Sequence, residues 1–222
     1  MGYIVARHYP SVSVVIPCRN EELHIRHCIE SVINNNYSGE LEIIVIDGMS
    51  EDSTRNICIE LMNQIPNLSM LDNPCKVAPT AMNIGIRASS HDLVLILGAH
   101  CEIEKGYIEK VVSLLSTDNK IVCVGGCTIS RGNTTMIQRL ASAVLSSPFG
   151  VGNSYFRLPG SQVREVDTVA YGVYRKSVFY SLGEFDERLV RNQDIELNYR
   201  LRKAGYRVLL NPSAVVHYRA RR

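Results

Sequence analysis

The sequence lacks several features that would assign it to a special class of protein. No apolar run among its 222 residues approaches the ~18 residues that a membrane-spanning helix needs. Residues 1–10 lack the long apolar core of a signal peptide, and internal repeats and low-complexity linkers are missing. The net charge is only +2, so nothing in the composition indicates nucleic-acid binding. We therefore expect a cytoplasmic globular protein with one domain over residues 1–222.

Paired cysteine spacings are also missing. The seven cysteines include no C-x-x-C, their number is odd, and several lie in apolar runs. This pattern indicates reduced thiols in a reducing compartment and argues against a disulfide framework or a zinc site. Hydrophobic residues make up 45% of the chain, which is enough for a sizeable core and argues against disorder.

Apolar strands alternate with helical patterns in the first half of the chain. The expected strands are 12–17, 41–46, 68–71, 93–97 and 121–124, and the expected helices are 21–34, 54–64, 78–88 and 107–115. This alternation predicts an α/β fold with a mostly parallel central sheet and helices on both faces. The second half is less regular, with one strand-like stretch at 168–174.

Polar or glycine-rich residues follow three of the expected strands, at 17–21, 47–50 and 98–100. Ligands bind at the carboxyl ends of the strands in open sheets of this kind. Asp47 follows its strand directly, where a carboxylate accepts hydrogen bonds from a ribose hydroxyl or a base N–H. The alternative is that this turn caps the next helix through Ser53 or Asp52, and both interpretations can hold together.

Residues 191–200 place two carboxylates, amides and cations at the start of an expected amphipathic helix. A helix N-terminus favours negative charge, and a carboxylate that faces a cleft there can take a proton from a sugar hydroxyl. Asp194 is the strongest candidate for that base. The alternative is a capped surface helix with i,i+4 charge pairs, in which Glu196 pairs with Arg200 instead of orienting an acceptor.

Three segments resemble motifs of the family 2 glycosyltransferases. Residues 14–21 resemble the opening strand of the family, 44–54 its nucleotide-binding turn, and 183–201 its acceptor and catalytic-base block. The similarity covers nearly the whole chain and is nearest to the succinoglycan-type glucosyltransferases, through residues 147–152, 167–169 and 192–200. The resemblance implies a GT-A fold, with a nucleotide-sugar-binding half over 10–124 and an acceptor and catalytic-base half over 125–222. It also implies a nucleotide-sugar donor and inversion at the anomeric carbon.

The resemblance also implies roles for individual residues. Asp194 is the expected catalytic base. The acceptor-side residues are expected to be Gln193, Glu196 and Arg200. The residues expected to bind the nucleotide and its diphosphate are Pro17, Arg19, Glu21, Asp47, Lys76 and Ala99. Arg131 and Arg191 are further candidate cations for the diphosphate.

Two departures from the family pattern concern the donor. Many members have two consecutive aspartates in the nucleotide turn, whereas this chain has Asp47-Gly48, so base recognition differs or rests on Asp47. The family also has an Asp-x-Asp whose last carboxylate binds the metal on the diphosphate; here the stretch is Gly98-Ala99-His100. An imidazole suits Mn²⁺ better than Mg²⁺, so we expect Mn²⁺ at His100, with His217 as a distant second ligand. The alternative is a strand-end histidine that bonds to the backbone.

The expected function is transfer of a hexose from a nucleoside-diphosphate sugar, with a UDP-sugar as the leading expectation, to a saccharide or lipid-linked acceptor in glycan biosynthesis. The alternative is a weakly active or non-catalytic nucleotide-binding module, because Gly98 replaces a carboxylate.

Residues 149–153 are either a mobile acceptor-side loop or plain turns. The basic residues 219–222 either touch anionic lipid at the inner face of the membrane or are a solvated end. No G-x-G-x-x-G follows the first strand, which argues against a nicotinamide-dependent oxidoreductase.

Overall fold

The structure is a computed structural model that describes residues 9–131 and 162–219. Its strands are β1 (Val12–Cys18), β2 (Leu41–Asp47), β3 (Leu68–Asp72), β4 (Leu93–Ile96), β5 (Cys101–Ile103), β6 (Ile121–Arg131), β7 (Arg164–Glu165), β8 (Val173–Arg175) and β9 (Arg207–Arg219). Its helices are α1 (Ile25–Ile33), α2 (Thr54–Met62), α3 (Ala78–Ala88), α4 (Tyr107–Leu115), α5 (Ser177–Leu182) and α6 (Gln193–Lys203). The expected alternation of strands and helices in the first half is confirmed. Among these helices, none has the length and apolar character needed to span a membrane.

The strands form one sheet in the order β3-β2-β1-β4-β8-β6-β9-β5, with β7 paired to β9. The first four strands in this order pair in parallel, as the alternating pattern predicts. β8 lies antiparallel between β4 and β6, and β9 is parallel to β6 but antiparallel to β5. The sheet is therefore parallel from β3 to β4 and mixed from β4 to β5. β6 also crosses the expected boundary at residue 124, so both parts of the chain share the sheet.

Each face of the sheet carries its own layer of helices. Successive side chains of a strand point to opposite faces, so Val14 and Ile16 of β1 bury against one layer and Val15 against the other. The first layer contains buried side chains of α1, α2 and α4. The second contains buried side chains of α3, α5 and α6. The helices therefore cover both faces, which leaves the carboxyl ends of the parallel strands as the edge where a ligand can reach the backbone.

Two expected elements are shorter in the structure than the sequence pattern suggests. The helix expected from residue 21 begins at Ile25, because the carbonyl of Glu21 accepts the N–H groups of His24 and Ile25 in a preceding turn. The strand expected over 168–174 is reduced to β8. Tyr171 has a φ of 53°, in the left-handed region that a strand cannot contain.

One expected strand extends well beyond its predicted end. The apolar pattern that ends at Val124 is followed by two glycines, yet β6 continues to Arg131. A Cβ atom on Gly126 would lie 2.2 Å from the carbonyl oxygen of Ala214. The glycine thus permits a close approach of β6 to β9 where their register shifts. Gly126 therefore does not end β6; it allows β6 to stay paired with β9.

Candidate active site

The three strand ends that were expected to bind a ligand meet at one edge of the sheet. The N–H of Gly48, after β2, donates to the carbonyl of Cys18 at the end of β1 at 2.8 Å. The imidazole of His100, after β4, places Nδ1 3.1 Å from a carboxylate oxygen of Glu21. Residues from the ends of β1, β2 and β4 thus form one continuous surface.

The loops that follow β1 and β2 are bonded to each other along their length. The N–H of Asn20 donates to Ser50 Oγ at 2.9 Å, and the N–H of Glu51 donates back to the Asn20 side chain at 2.9 Å. The N–H of Glu21 donates to Thr54 Oγ1 at 2.8 Å. These reciprocal bonds hold the two loops as one rigid unit, so the groups they carry keep fixed relative positions.

Asp47 is fully buried at the end of β2, and both of its carboxylate oxygens have donors. The Ser50 hydroxyl donates to one oxygen at 2.5 Å, and Arg55 donates to the other at 2.7 Å. The same Arg55 nitrogen lies 2.6 Å from a carboxylate oxygen of Asp72. Burial acts to raise the pKa of Asp47, but the hydrogen bonds from Ser50 and Arg55 outweigh it and the net pKa is lowered. The carboxylate is therefore ionised and held in place; its contact with a nucleotide stays a prediction.

The capping interpretation of the same turn is resolved in favour of Asp52. Its side chain accepts the N–H of Thr54 at 2.9 Å. Ser53 occupies the cap position of α2 without a side-chain capping bond. Asp47 and Asp52 therefore have separate tasks, the first at the strand end and the second at the helix start.

The other residues expected on the donor side lie around this edge. Pro17 is half-buried in β1, and Ala99 is buried, so any contact through Ala99 is by its backbone. Lys76 is exposed on the loop before α3 with a φ of 61°. Arg19 packs over Gly48, where an added Cβ would lie 3.2 Å from the Arg19 Cβ. The stem of Arg19 therefore borders the space that a second aspartate of the nucleotide turn would enter.

The side chain of Glu21 contacts His100 from the protein interior. Its side chain is 1% exposed and that of His100 is 15% exposed. The ring of Tyr218 meets the imidazole edge-on, with centroids 5.0 Å apart and planes at 85°. One oxygen of this buried carboxylate lies 3.1 Å from Nδ1 of His100, and direct contact of Glu21 with the nucleotide stays a prediction.

His217 is held by a different carboxylate. Its Nε2 lies 2.7 Å from an oxygen of Glu104. Over residues 9–131 and 162–219, no cluster of three or more His, Cys, Asp and Glu side chains is arranged to hold a metal ion. The role of His217 as a second ligand therefore stays a prediction, and the donor site rests on His100.

The space next to Gly98 is bordered by two rings. A Cβ atom built on this glycine would lie 3.2 Å from Cε1 of Tyr171 and 3.6 Å from Cε1 of His100. A carboxylate side chain at this position would start between the phenol and the imidazole. The replaced Asp-x-Asp thus leaves an aromatic boundary where the family has its first carboxylate.

Asp194 lies in the first turn of α6. Burial raises its pKa, and the backbone N–H groups of Ile195 and Asp194 itself offset this in part. A raised pKa makes a carboxylate a stronger base, which suits proton abstraction. The side-chain oxygen of the adjacent Gln193 is buried and accepts no hydrogen bond from the described residues. Arg191, another candidate cation, is exposed at this end of the helix.

The i,i+4 charge pair on α6 forms between Glu196 and Arg200, not at Asp194. Nε and Nη2 of Arg200 donate to the Glu196 carboxylate at 2.6 and 2.8 Å. Its Nη1 donates to the carbonyls of Leu182 and Gly183 at 2.5 and 3.0 Å, and its Nη2 donates to the carbonyl of Glu184 at 2.6 Å. All five donors of the guanidinium are thus directed at the protein. Acceptor contact by Glu196 and Arg200 stays a prediction, and any effect of Arg200 on the acceptor passes through the turn at 182–184.

The connection between α3 and the segment before α6 was not visible in the sequence. Asn83 of α3 donates to the carbonyl of Phe185 at 2.9 Å and accepts the Phe185 N–H at 3.0 Å. Glu187 accepts bonds from Asn83 at 2.9 Å and from Thr80 at 3.0 Å. These bonds fasten the segment before α6 to α3. No local motif reveals such a pair, because its members are about a hundred residues apart in the chain.

Several expected features lie outside the described residues. They are the segment 147–152, the loop 149–153, the side chain of Arg131 and residues 220–222 of the basic tail.

The contacts of Asp72 and Arg55 beside Asp47 were also missed, although the sequence carried a signal for Asp72. Asp72 pairs in register with Asp47 across β2 and β3, so the alignment of strand ends carried the signal.

Comparisons with known proteins agree with this geometry. The family model described as Glycosyl transferase family 2 matches residues 13–183. The chain belongs to this family. It is 31% identical over 218 residues to a dolichyl N-acetyl-α-D-glucosaminyl phosphate 3-β-D-2,3-diacetamido-2,3-dideoxy-β-D-glucuronosyltransferase of Methanococcus voltae, covering 95% of this chain and 67% of the relative. It is also 31% identical over 209 residues to the succinoglycan biosynthesis protein ExoA of Rhizobium meliloti, covering 92% of this chain and 62% of that protein. The chain therefore spans about two thirds of these relatives' length.

Solved structures share the fold. GalNAc-T7, solved with UDP, GalNAc and Mn²⁺, has a TM-score of 0.75 at 18% identity and matches 97% of this chain and 45% of its own. A mannosyltransferase of Pyrobaculum calidifontis, solved with GDP-Man and Mn²⁺, has a TM-score of 0.72 at 18% identity, with coverages of 95% and 57%. These structures confirm the GT-A fold, and the family match with its relatives confirms the assignment to the glycosyltransferase enzymes.

Proposed function

We propose that this chain transfers a hexose, with inversion, from a nucleoside-diphosphate sugar to a saccharide or lipid-linked acceptor. The observation that carries the proposal is the convergence of strand ends, in which Gly48 bonds to Cys18 and His100 lies against Glu21. A donor placed there lies at the carboxyl edge of the parallel strands, where such folds bind nucleotides. Asp194 then supplies the base from the other part of the chain.

The nucleoside is proposed to bind beside Asp47. This carboxylate is ionised and fixed by Ser50 and Arg55, so it offers a preorganised acceptor for a ribose hydroxyl or base N–H. A UDP-sugar is the first donor to test. A GDP-sugar is the second, because solved neighbours carry either UDP or GDP-Man.

The diphosphate needs its charge neutralised when it leaves. Both of these neighbours were solved with Mn²⁺, and His100 is the residue that would hold such an ion here. The described residues offer no cluster of three or more ligating side chains, so the oxygens of the diphosphate would supply the remaining ligands. One imidazole together with phosphate oxygens is a donor set that fits Mn²⁺. When bound, the ion stabilises the charge that develops on the leaving diphosphate.

The proton of the acceptor hydroxyl passes to Asp194. The acceptor oxygen attacks the anomeric carbon from the face opposite the diphosphate, so one C–O bond forms as the bond to phosphate breaks. A base raised in pKa by burial takes this proton more readily than an exposed aspartate does. Gln193 is proposed to orient the acceptor by accepting a hydrogen bond at its buried oxygen.

Gly98 favours one second candidate, a nucleotide-binding module with little or no transfer activity. This residue leaves His100 without the neighbouring carboxylate of the family pattern. The two candidates share nucleotide binding and differ in turnover.

A panel of nucleotide sugars tests the proposal. Each donor is added with Mn²⁺ or Mg²⁺, and the melting temperature is recorded before product release is assayed. A ligand at a hundred times its Kd stabilises the folded state by about 2.7 kcal/mol, which shifts Tm by roughly 5–10 °C in a domain of this size. Stabilisation with turnover supports the transferase, and stabilisation without turnover under any acceptor supports the binding module. A panel without any shift contradicts both.

A further inference from the structure

We infer that Glu21 is a positioning residue for His100: its buried carboxylate holds the imidazole through Nδ1 and reserves Nε2 for the divalent ion that accompanies the donor. The inference rests on the proposed function, because it assigns a role within the same donor site. It gives Glu21 an indirect task besides the nucleotide contact expected from the sequence.

The chemistry of the pair determines which nitrogen is available. Glu21 lies 3.1 Å from Nδ1 of His100, and an ionised carboxylate only accepts hydrogen bonds. With Glu21 ionised, Nδ1 carries the proton, and Nε2 keeps the lone pair that a metal ion requires. Without the carboxylate, the two tautomers would compete and part of the population would present a protonated Nε2.

The backbone of Glu21 is itself fixed. Its N–H donates to Thr54 Oγ1 at 2.8 Å, and its carbonyl accepts the N–H groups of His24 and Ile25 at 2.9 Å each. The side chain therefore leaves a backbone that is tied both to the loop after β2 and to the start of α1. A carboxylate on such a support has little freedom to follow a moving imidazole, so it dictates the orientation of the ring.

The imidazole is also confined from a second direction. Tyr218 meets it edge-on at 5.0 Å between centroids, and the Cε1 atom of the imidazole itself borders the space beside Gly98. Carboxylates bonded to the second nitrogen of a ligating histidine fix its tautomer and raise its basicity, and their loss typically weakens metal affinity by 10–100-fold. With one imidazole as the protein ligand, this support has a large effect on the site.

The chain contains a matched control. Glu104 lies 2.7 Å from Nε2 of His217, so it forms a second carboxylate–imidazole pair that the proposal leaves outside the donor site. A change of Glu104→Gln removes the same charge from the same kind of pair. Any effect that is specific to metal binding should separate the two variants.

The experiment measures Mn²⁺ binding in the presence of UDP, by the EPR signal of free Mn²⁺, for wild type, Glu21→Gln, Glu21→Leu and Glu104→Gln. UDP affinity without metal and thermal melting are recorded on the same samples. We expect the Mn²⁺ dissociation constant to rise by 10–100-fold in both Glu21 variants and to stay unchanged in Glu104→Gln. ¹⁵N spectra of labelled histidines should show the Nδ1-protonated tautomer of His100 in the wild type and its loss in Glu21→Leu.

A double-mutant comparison sharpens the assignment. In a His100→Asp background, Glu21 would face a like charge, so Glu21→Gln should no longer weaken Mn²⁺ binding. A weakening of the same size in both backgrounds would overturn the inference, because Glu21 would then act independently of His100. Unchanged Mn²⁺ affinity in folded, UDP-binding Glu21 variants, or a wild type that binds UDP but not Mn²⁺, would overturn it too. Failure of the proposed function is distinct, since the wild type would then bind neither UDP nor GDP.

Discussion

The substitution Arg200→Lys tests how the turn at 182–184, before α6, is held in place. The guanidinium grips Glu196 with two donors and reaches three backbone carbonyls, those of Leu182, Gly183 and Glu184. A lysine keeps the charge but has its three donors on one nitrogen. It cannot serve the carboxylate and the carbonyls together, so at least two carbonyl bonds are lost.

The size of the effect follows from those bonds. Hydrogen bonds from a charged donor contribute ~1.5–3 kcal/mol each, and the contributions are not additive. The Arg200 side chain is 25% exposed, so water replaces part of the loss. We expect the free energy of unfolding to fall by about 2–3 kcal/mol, which corresponds to a decrease in Tm of roughly 4–12 °C for a domain of this size.

The assay is thermal and denaturant unfolding of Arg200→Lys beside Arg202→Lys. Arg202 lies on the same helix and makes one ion pair, 2.8 Å long, with the partly exposed Asp167. Exposed pairs of this kind contribute ~0–1 kcal/mol, so the control should change little. The turn at 182–184 leads into the segment that α3 holds, so transfer should fall more than UDP affinity in Arg200→Lys. Equal stabilities of the two variants would refute the reasoning.

Three further predictions concern the site itself. Asp47→Asn should weaken UDP binding in titration calorimetry. It should also flatten the acid side of the stability curve: the lowered pKa of Asp47 gives stability that is present above its unfolded pKa and lost as pH falls through the folded one. A curve identical to wild type would contradict this. Because burial raises the pKa of Asp194, the wild-type rate should fall on acidification at a higher pH than the ordinary aspartate range. A pH–rate profile that is flat down to that range would count against it. Gly98→Asp should fold, because the three atoms nearest to the new Cβ belong to side chains and the closest, Cε1 of Tyr171, lies 3.2 Å away. It should tighten Mn²⁺ binding measured by EPR; unchanged or weaker binding would show that the carboxylate cannot reach the ion.

The sequence predicted the parallel part of the fold well, because there the local patterns and the tertiary structure agree. The strand and helix patterns before residue 124 are almost all present, and the three polar strand ends meet as expected. Tyr171 and Gly126 mark the limits of this reasoning. The left-handed conformation of Tyr171 interrupts the strand that the residues around it predict. Gly126 lies within β6, although the sequence pattern predicts that this strand ends before it.

The positions of the candidate residues in the fold were predicted better than the contacts that their side chains make. Asp194 and Asp47 lie at the helix start and strand end where they were expected. The contact of Glu21 with His100 and the bonds of Arg200 to the carbonyls at 182–184 were not visible, because these side chains reach across the fold. Burial decided these roles, and burial of a charged side chain depends on tertiary contacts that spacing alone does not encode.

The transfer rate of Asp194→Asn tests the central claim most directly. It is compared with wild type and with Asp92→Asn, an exposed aspartate beside β4, using the donor that the nucleotide-sugar panel identifies. We predict a loss of about 10²–10⁴ in rate for Asp194→Asn, with donor affinity kept and Tm not lowered, because the half-buried carboxylate has a raised pKa and its charge does not stabilise the fold. Asp92→Asn should match wild type. A rate for Asp194→Asn within a few-fold of wild type would contradict the account.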